Sequence, residues 1–163
     1  MRYPLARLAA SLLIGVSGCS NGGPTELTDA RRAAITDSVR TAFTRFTSAL
    51  GSGDVDAAIQ FYSDDPGFRW VEDGTVRYTS RGDIAEALEQ LRGFASLSFR
   101  FQEPTIDVLA PTVAVLSTIT ETTLADTSGR SLSFTAALTV TMVRDSTGWR
   151  ARSGHSSSQR PGT

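Results

Sequence analysis

The chain has 163 residues, 40% of them apolar and 20% charged, with a formal net charge of −1. That near-neutral balance excludes the basic footprint of a nucleic-acid binder, and one histidine with one cysteine supplies no ligand cluster for a metal. No phosphate-cradling glycine loop or dinucleotide fingerprint is present, so no cofactor is implied.

Arg2 and Arg7 form a positive segment ahead of an apolar run from Leu8 to Val16, about nine residues long and far short of the roughly 20 that span a bilayer. Residues 1–18 therefore read as a signal peptide. The sequence Val16-Ser17-Gly18-Cys19 resembles a bacterial lipobox, which implies cleavage before Cys19, acylation of its thiol and new amine, and a membrane as partner through the lipid anchor. Two or more acyl chains hold stably where one is marginal. The alternative is an ordinary secretory signal followed by a chance cysteine, although a lone cysteine in an exported domain can form no internal disulfide. Ser20, where some lipoproteins carry an inner-membrane retention aspartate, leans toward an outer membrane in a cell that has two. Residues 19–28 are small, polar and rich in Gly and Pro, the composition of a tether. One domain is expected over 29–158, with a disordered tail over 159–163.

Behind a Thr28 cap, Ile35, Val39, Phe43, Phe46 and Leu50 recur at spacings of three and four and predict a first helix from Asp29. Gly51 stops it, Gly53-Asp54 opens a short second helix, and Asp64-Asp65-Pro66 ends that one. Phe68–Val71 and Val76–Thr79 flank Asp73-Gly74 as a hairpin. Ser80 caps a third helix carrying Ile84, Leu88 and Leu91, with Gly93 as its stop.

After Gly93 the period changes to two and a strand meander follows. Straight alternation in its first strand would bury Gln102 and Arg100 instead of Leu97, Phe99 and Phe101, which predicts a bulge at Glu103-Pro104. If Ser128-Gly129 is the next loop, Val115, Ser117, Ile119 and Glu121 lie opposite Met142, Val140, Leu138 and Ala136 on one buried face. Closing the last hairpin over Asp145 to Gly148 puts Ala151, Ser153, His155 and Ser157 opposite the same four. The convex face then carries Thr118, Thr120, Thr122, Thr135, Thr139, Thr141, Arg150 and Arg152, polar enough to be solvated.

Helices first and a curved antiparallel sheet second is the order of an α+β cone: three N-terminal helices packed on a strongly curved sheet. Gly53-Asp54-x-Asp56-Ala57-Ala58, Tyr62-Ser63-Asp64-Asp65, Arg81-Gly82-Asp83-Ile84, Gly148-Trp149 and His155-Ser156-Ser157 together resemble the nuclear transport factor 2-like superfamily, in its SnoaL-like branch, over roughly residues 30–158. Ser80 departs from the glycine that many members place before the third helix. The resemblance implies a ligand pocket at the open end of the cone and, in many members, dimerisation through the convex face. The ketosteroid isomerases of this fold use a tyrosine and two aspartates. Those positions fall here on Phe46, Trp70 and Thr139 or Val140, none of which carries a proton, so that chemistry is excluded.

The expected concave face holds His155 as the natural acid or base, with Glu121, Tyr62 and Trp70 as further site residues. Phe46, Ser117, Ala136, Ser153 and Ser157 line it. His155 could equally finish the core by bonding a buried tyrosine or carbonyl, and Glu121 could sit at the rim beside an arginine. Two strand spacings, about 9.6 Å, separate the rows of these two residues. Three readings follow: a membrane-anchored, non-catalytic domain binding a small, partly apolar ligand; a SnoaL-like isomerase, hydratase or hydrolase using His155; or a dimerising interaction module.

Overall fold

The computed structural model describes residues 27–159. The signal peptide, Cys19 and most of the tether and tail lie outside the described residues. Helix α1 (Asp29–Ser52) starts where the Thr28 hydroxyl accepts from the Arg31 backbone N–H, and it ends at Gly53, whose φ of 71° is the left-handed conformation of a helix stop. Helix α2 (Val55–Ile59) is capped by Asp54, which accepts from the Ala57 N–H. Strands β1 (Arg69–Glu72) and β2 (Thr75–Tyr78) form the expected hairpin, and Asp73 and Gly74 both take positive φ, as its two-residue turn requires. Helix α3 (Arg81–Gln90) begins with a reciprocal capping box between Ser80 and Asp83 and runs into a 3-10 turn over Leu91–Gly93.

Five strands follow: β3 (Ser96–Phe101), β4 (Thr105–Ala110), β5 (Val113–Ala125), β6 (Ser131–Asp145) and β7 (Gly148–Ser158). They join β1 and β2 in one seven-stranded sheet ordered β2-β1-β7-β6-β5-β3, with β4 beside β3 along the same edge of β5. Only the β1–β7 pair is parallel. The helices pack on the concave face, giving the α+β cone. Ile35, Val39, Phe43, Phe46 and Ala49 of α1 bury against Leu116, Val140 and Met142 of the sheet. The interruption expected at Glu103-Pro104 is present: β3 and β4 pair with β5 in registers that differ by one residue, and Leu97, Phe99 and Phe101 turn inward, half-buried.

Two details of the sheet overturn the expected register. The β5–β6 connection is a loop over 126–130, organised by the Asp126 carboxylate, which accepts from the backbone N–H of Ser128 and of Arg130 and from both their side chains. Its centre is Ser128, not the Ser128-Gly129 bond, so Ala114, Leu116, Thr118 and Thr120 oppose Met142, Val140, Leu138 and Ala136. A one-residue slip turns a strand over. Ser117 and Glu121 therefore lie on the outer face, where Glu121 is exposed opposite Thr135, and Thr118, Thr120 and Thr122 point inward.

The second detail is in β7. Met142 pairs with Ala151 as expected, but Thr141 pairs with Ser153, which leaves Arg152 as a bulge. Residues 61–63 dock there: the Ala151 N–H donates to the Phe61 carbonyl, the Ser63 N–H to the Ala151 carbonyl, and the Arg152 guanidinium pairs with Asp65 at 2.8 Å. Beyond the bulge the faces exchange. Gly154, Ser156 and Ser158 turn inward, whereas Ser153, His155 and Ser157 turn outward, with His155 exposed.

Candidate functional site

The residues expected to meet in the cone separate into two sets. Phe46, Tyr62, Trp70 and Ala136 are buried on the concave side. His155, Glu121, Ser117, Ser153 and Ser157 are on the other side of the sheet, so an interior His155 is corrected to an exposed one and no His155–Glu121 pair exists inside the cone.

The space that small residues leave on the sheet is filled from the helical side by aromatic rings. Phe46 stacks on Phe61 at 4.4 Å, Phe43 meets Phe101 edge-on at 5.4 Å, and Tyr62 meets Phe46 and Trp70 edge-on at 5.6 and 5.5 Å. Gly154 makes room for the largest ring. A Cβ there would run into the six-membered ring of Trp70, so the indole lies directly over the glycine backbone.

Trp70 leads to the polar part of this face. The strand period puts Glu72 on the side of Trp70, and the sheet register sets it beside inward-facing Ser156. The indole N–H of Trp70 and the Arg77 guanidinium, the latter 3.7 Å from the carboxylate, both favour the charged form of Glu72. Burial nevertheless holds the Glu72 carboxyl above the usual carboxylate range, because desolvation outweighs both partners. Tyr62 and Tyr78 feel the same surroundings. Burial, and then the negative charges of Glu72 and Tyr78, push the Tyr62 phenol above its ordinary value; burial and Glu72 do the same to Tyr78. Both phenols therefore stay protonated near neutrality.

The neighbouring row of the concave face runs Phe101, Thr120, Ala136 and Ser158. Ser158 is held by Asp73 through its N–H and its hydroxyl, at 2.7 and 2.6 Å. The Thr120 hydroxyl is buried without a partner, an uncommon state for a polar atom in a finished core. Glu72, Ser156, Ser158 and Thr120 are polar residues of the concave face that the sequence reading missed. Glu72 was within reach of it, two residues from Trp70 on the same strand; the other three depended on the slip and the bulge. Among the described residues no group of three His, Cys, Asp or Glu side chains could hold a metal ion, and no helix is long and apolar enough to cross a membrane.

The SnoaL-like domain family matches residues 39–161. No curated protein matches the chain. Among solved structures, a nuclear transport factor 2-like superfamily protein from Salmonella enterica serovar Typhimurium superposes with a TM-score of 0.69 at 16% identity, covering 81% of this chain and 96% of that one. A candidate scytalone dehydratase from Novosphingobium aromaticivorans gives 0.71 at 13% identity, over 81% and 89%. A candidate calcium/calmodulin-dependent protein kinase II association domain from Xanthomonas campestris gives 0.61 at 20% identity, over 86% and 94%. Such identities establish the shared fold, one that carries differently described functions.

Proposed function

From the premise that the chain belongs to the SnoaL-like domain family, within the nuclear transport factor 2-like superfamily, we propose that its domain binds a small, partly apolar ligand on the concave face at Tyr62, Trp70, Glu72 and Tyr78, without catalysis. One observation carries this reading: a half-buried carboxylate shares an aromatic-walled face with two phenols that remain protonated. Such a set suits a ligand with a hydroxyl or carbonyl on an apolar body, the phenols donating and Glu72 accepting. Phenols pushed above their ordinary pKa exchange protons poorly near neutrality, which favours holding over transforming.

The anchoring reading is proposed alongside: Cys19 carries the acyl chains, and residues 20–28 tether the domain to a membrane, the outer one where the cell has two. Cys19→Ser should release the protein to the soluble fraction, and detergent-dependent fractionation of that variant would count against the anchor.

Native mass spectrometry of the chain, compared with the same sample denatured, tests the binding reading. Extra mass lost on denaturation, and reduced in Glu72→Gln and Tyr62→Phe, supports it. Equal masses, together with no change in Trp70 fluorescence on titration with small phenols and ketones, would overturn it. The native charge states also report whether two copies associate through the outer face of the sheet.

An enzymatic reading is favoured by one feature, the raised pKa of Glu72. A carboxyl poised above its ordinary range is the kind of general acid or base that the dehydratase-named neighbour invites. It would place Glu72, not His155, at the reacting atoms, and loss of turnover in Glu72→Gln with ligand binding retained would establish it.

A further inference from the structure

A second cleft, of about 1010 Å³, opens between α1, α2 and the β6–β7 turn, away from the Glu72 face. Its buried lining residues are Phe46, Ala49, Phe61 and Trp149, and Arg45 of α1 stands across it from Arg144 and Arg150 of the hairpin. Asp54 is the single acid among the lining residues, and its carboxylate caps α2. In a chain of net charge −1 this is a concentration of positive charge. Arg150 is spent partly on the backbone carbonyls of Trp149 and Thr147. Arg45 and Arg144 make no side-chain hydrogen bond or ion pair among the described residues.

The decisive residue is Trp149, one of those that line the cleft. Trp149 is buried, and its indole N–H has no acceptor. A buried donor without a partner costs about 1–3 kcal/mol, and folded proteins leave few of them. Here the residue with the orphan donor lines a cleft that also carries two unpaired guanidinium groups. All three groups lack the same thing, an acceptor with negative charge.

We propose that this cleft binds an anionic group, phosphate or carboxylate, attached to an apolar body. Arg45 and Arg144 hold the charge from opposite walls, the Trp149 N–H donates to one of its oxygens, and Phe46 and Phe61 take the apolar part. Guanidinium suits this role because its planar fork presents paired N–H donors to such oxygens. The same chemistry is found in a free small molecule and in an anionic lipid headgroup.

The test uses the full chain in nanodiscs of phosphatidylcholine, with phenyl phosphate titrated at low ionic strength and binding read by calorimetry. Saturable binding is expected, weakened at least tenfold in the Arg45→Gln/Arg144→Gln double variant and unchanged in Arg100→Gln, an exposed arginine on another strand. A second arm compares phosphatidylcholine with phosphatidylglycerol nanodiscs in the Trp70→Phe chain, where Trp149 is the remaining tryptophan. A shift in its fluorescence that needs phosphatidylglycerol and both arginines identifies the headgroup as the source, whereas phenyl phosphate binding without that shift identifies a free ligand. Both arginines are exposed, so the double variant should melt with the parent chain; if it does not, Arg144→Gln alone is compared. Absence of both signals, or either signal surviving intact in the arginine variant, overturns the proposal.

Discussion

Trp70 and Trp149 are both buried, one on β1 and the other near the start of β7, yet their surroundings differ. The Trp70 ring lies over Gly154, meets Tyr62 edge-on, and has an N–H that favours the charged form of Glu72. The Trp149 ring is packed as tightly, but its N–H has no acceptor and its cleft carries unpaired arginines. Packing alone therefore does not distinguish a completed site from one lacking a component. The hydrogen-bond inventory does, since a buried donor must be matched by something.

The largest test of this contrast is Trp70→Ala. It removes the ring that covers Gly154 and the donor that steadies Glu72, and should cost about 3–5 kcal/mol by urea unfolding. Gly154→Ala attacks the same contact from below. Its Cβ would meet the indole rather than a flexible side-chain end, so a loss of about 1–3 kcal/mol and a shift in tryptophan emission are expected. Wild-type stability in this variant would mean that the ring does not lie on the strand. Phenylalanine then separates the two indoles. Trp70→Phe removes the donor that favours the charged Glu72 carboxylate and should be the costlier change, whereas Trp149→Phe deletes a donor with nothing to donate to and should cost about 1 kcal/mol or less. The reverse order would break the comparison.

The pH dependence sharpens the Glu72 side of it. A carboxyl raised by burial keeps its proton longer in the folded chain than in the unfolded one. Folded protein therefore binds more protons between the ordinary and the raised pKa, and stability falls as pH rises through that interval. The exposed carboxylates Asp83, Asp126 and Asp145 are shifted the other way by the hydrogen bonds they accept, and their contribution is lost as pH falls below the ordinary aspartate range. Glu72→Gln isolates the first effect: relative to wild type it should gain melting temperature at pH 7 and lose that advantage toward pH 4. A constant difference across that range would show that Glu72 is not desolvated.

The helices and the first hairpin were legible because their signals are local. The Thr28, Asp54 and Ser80 caps and the Asp73-Gly74 turn each specify a conformation within four residues, whereas the first helix runs past the expected stop at Gly51 and ends at Gly53. The sheet's faces are set differently, by counting residues through a loop, and a count off by one reverses every side chain beyond it. Asp126 draws Ser128 and Arg130 onto one carboxylate and lengthens the loop that Ser128-Gly129 seemed to make. Arg152 leaves the ladder where residues 61–63 dock on β7, a contact between segments some 90 positions apart that no local pattern encodes. The aromatic residues Phe46, Tyr62 and Trp70 are on the concave side as expected because they belong to α1, the segment after α2 and β1. The residues drawn from β5 and β7 moved to the outer face.

The smallest expected effect decides that last point. His155 follows the glycine beneath Trp70, but it faces solvent opposite Thr139 with Val71 on its other side. Exposed side chains without a specific partner change stability by no more than about 0.5 kcal/mol when truncated. His155→Ala should therefore leave unfolding, Trp70 emission and ligand binding as they are, while Gly154→Ala, one residue away, disturbs all three. That opposition between neighbours is what a strand with its faces exchanged at Arg152 requires. If His155→Ala instead lowers stability by more than about 1 kcal/mol and quenches binding, the imidazole is inside the cone, the bulge is misplaced, and Glu72 must share its face with a histidine.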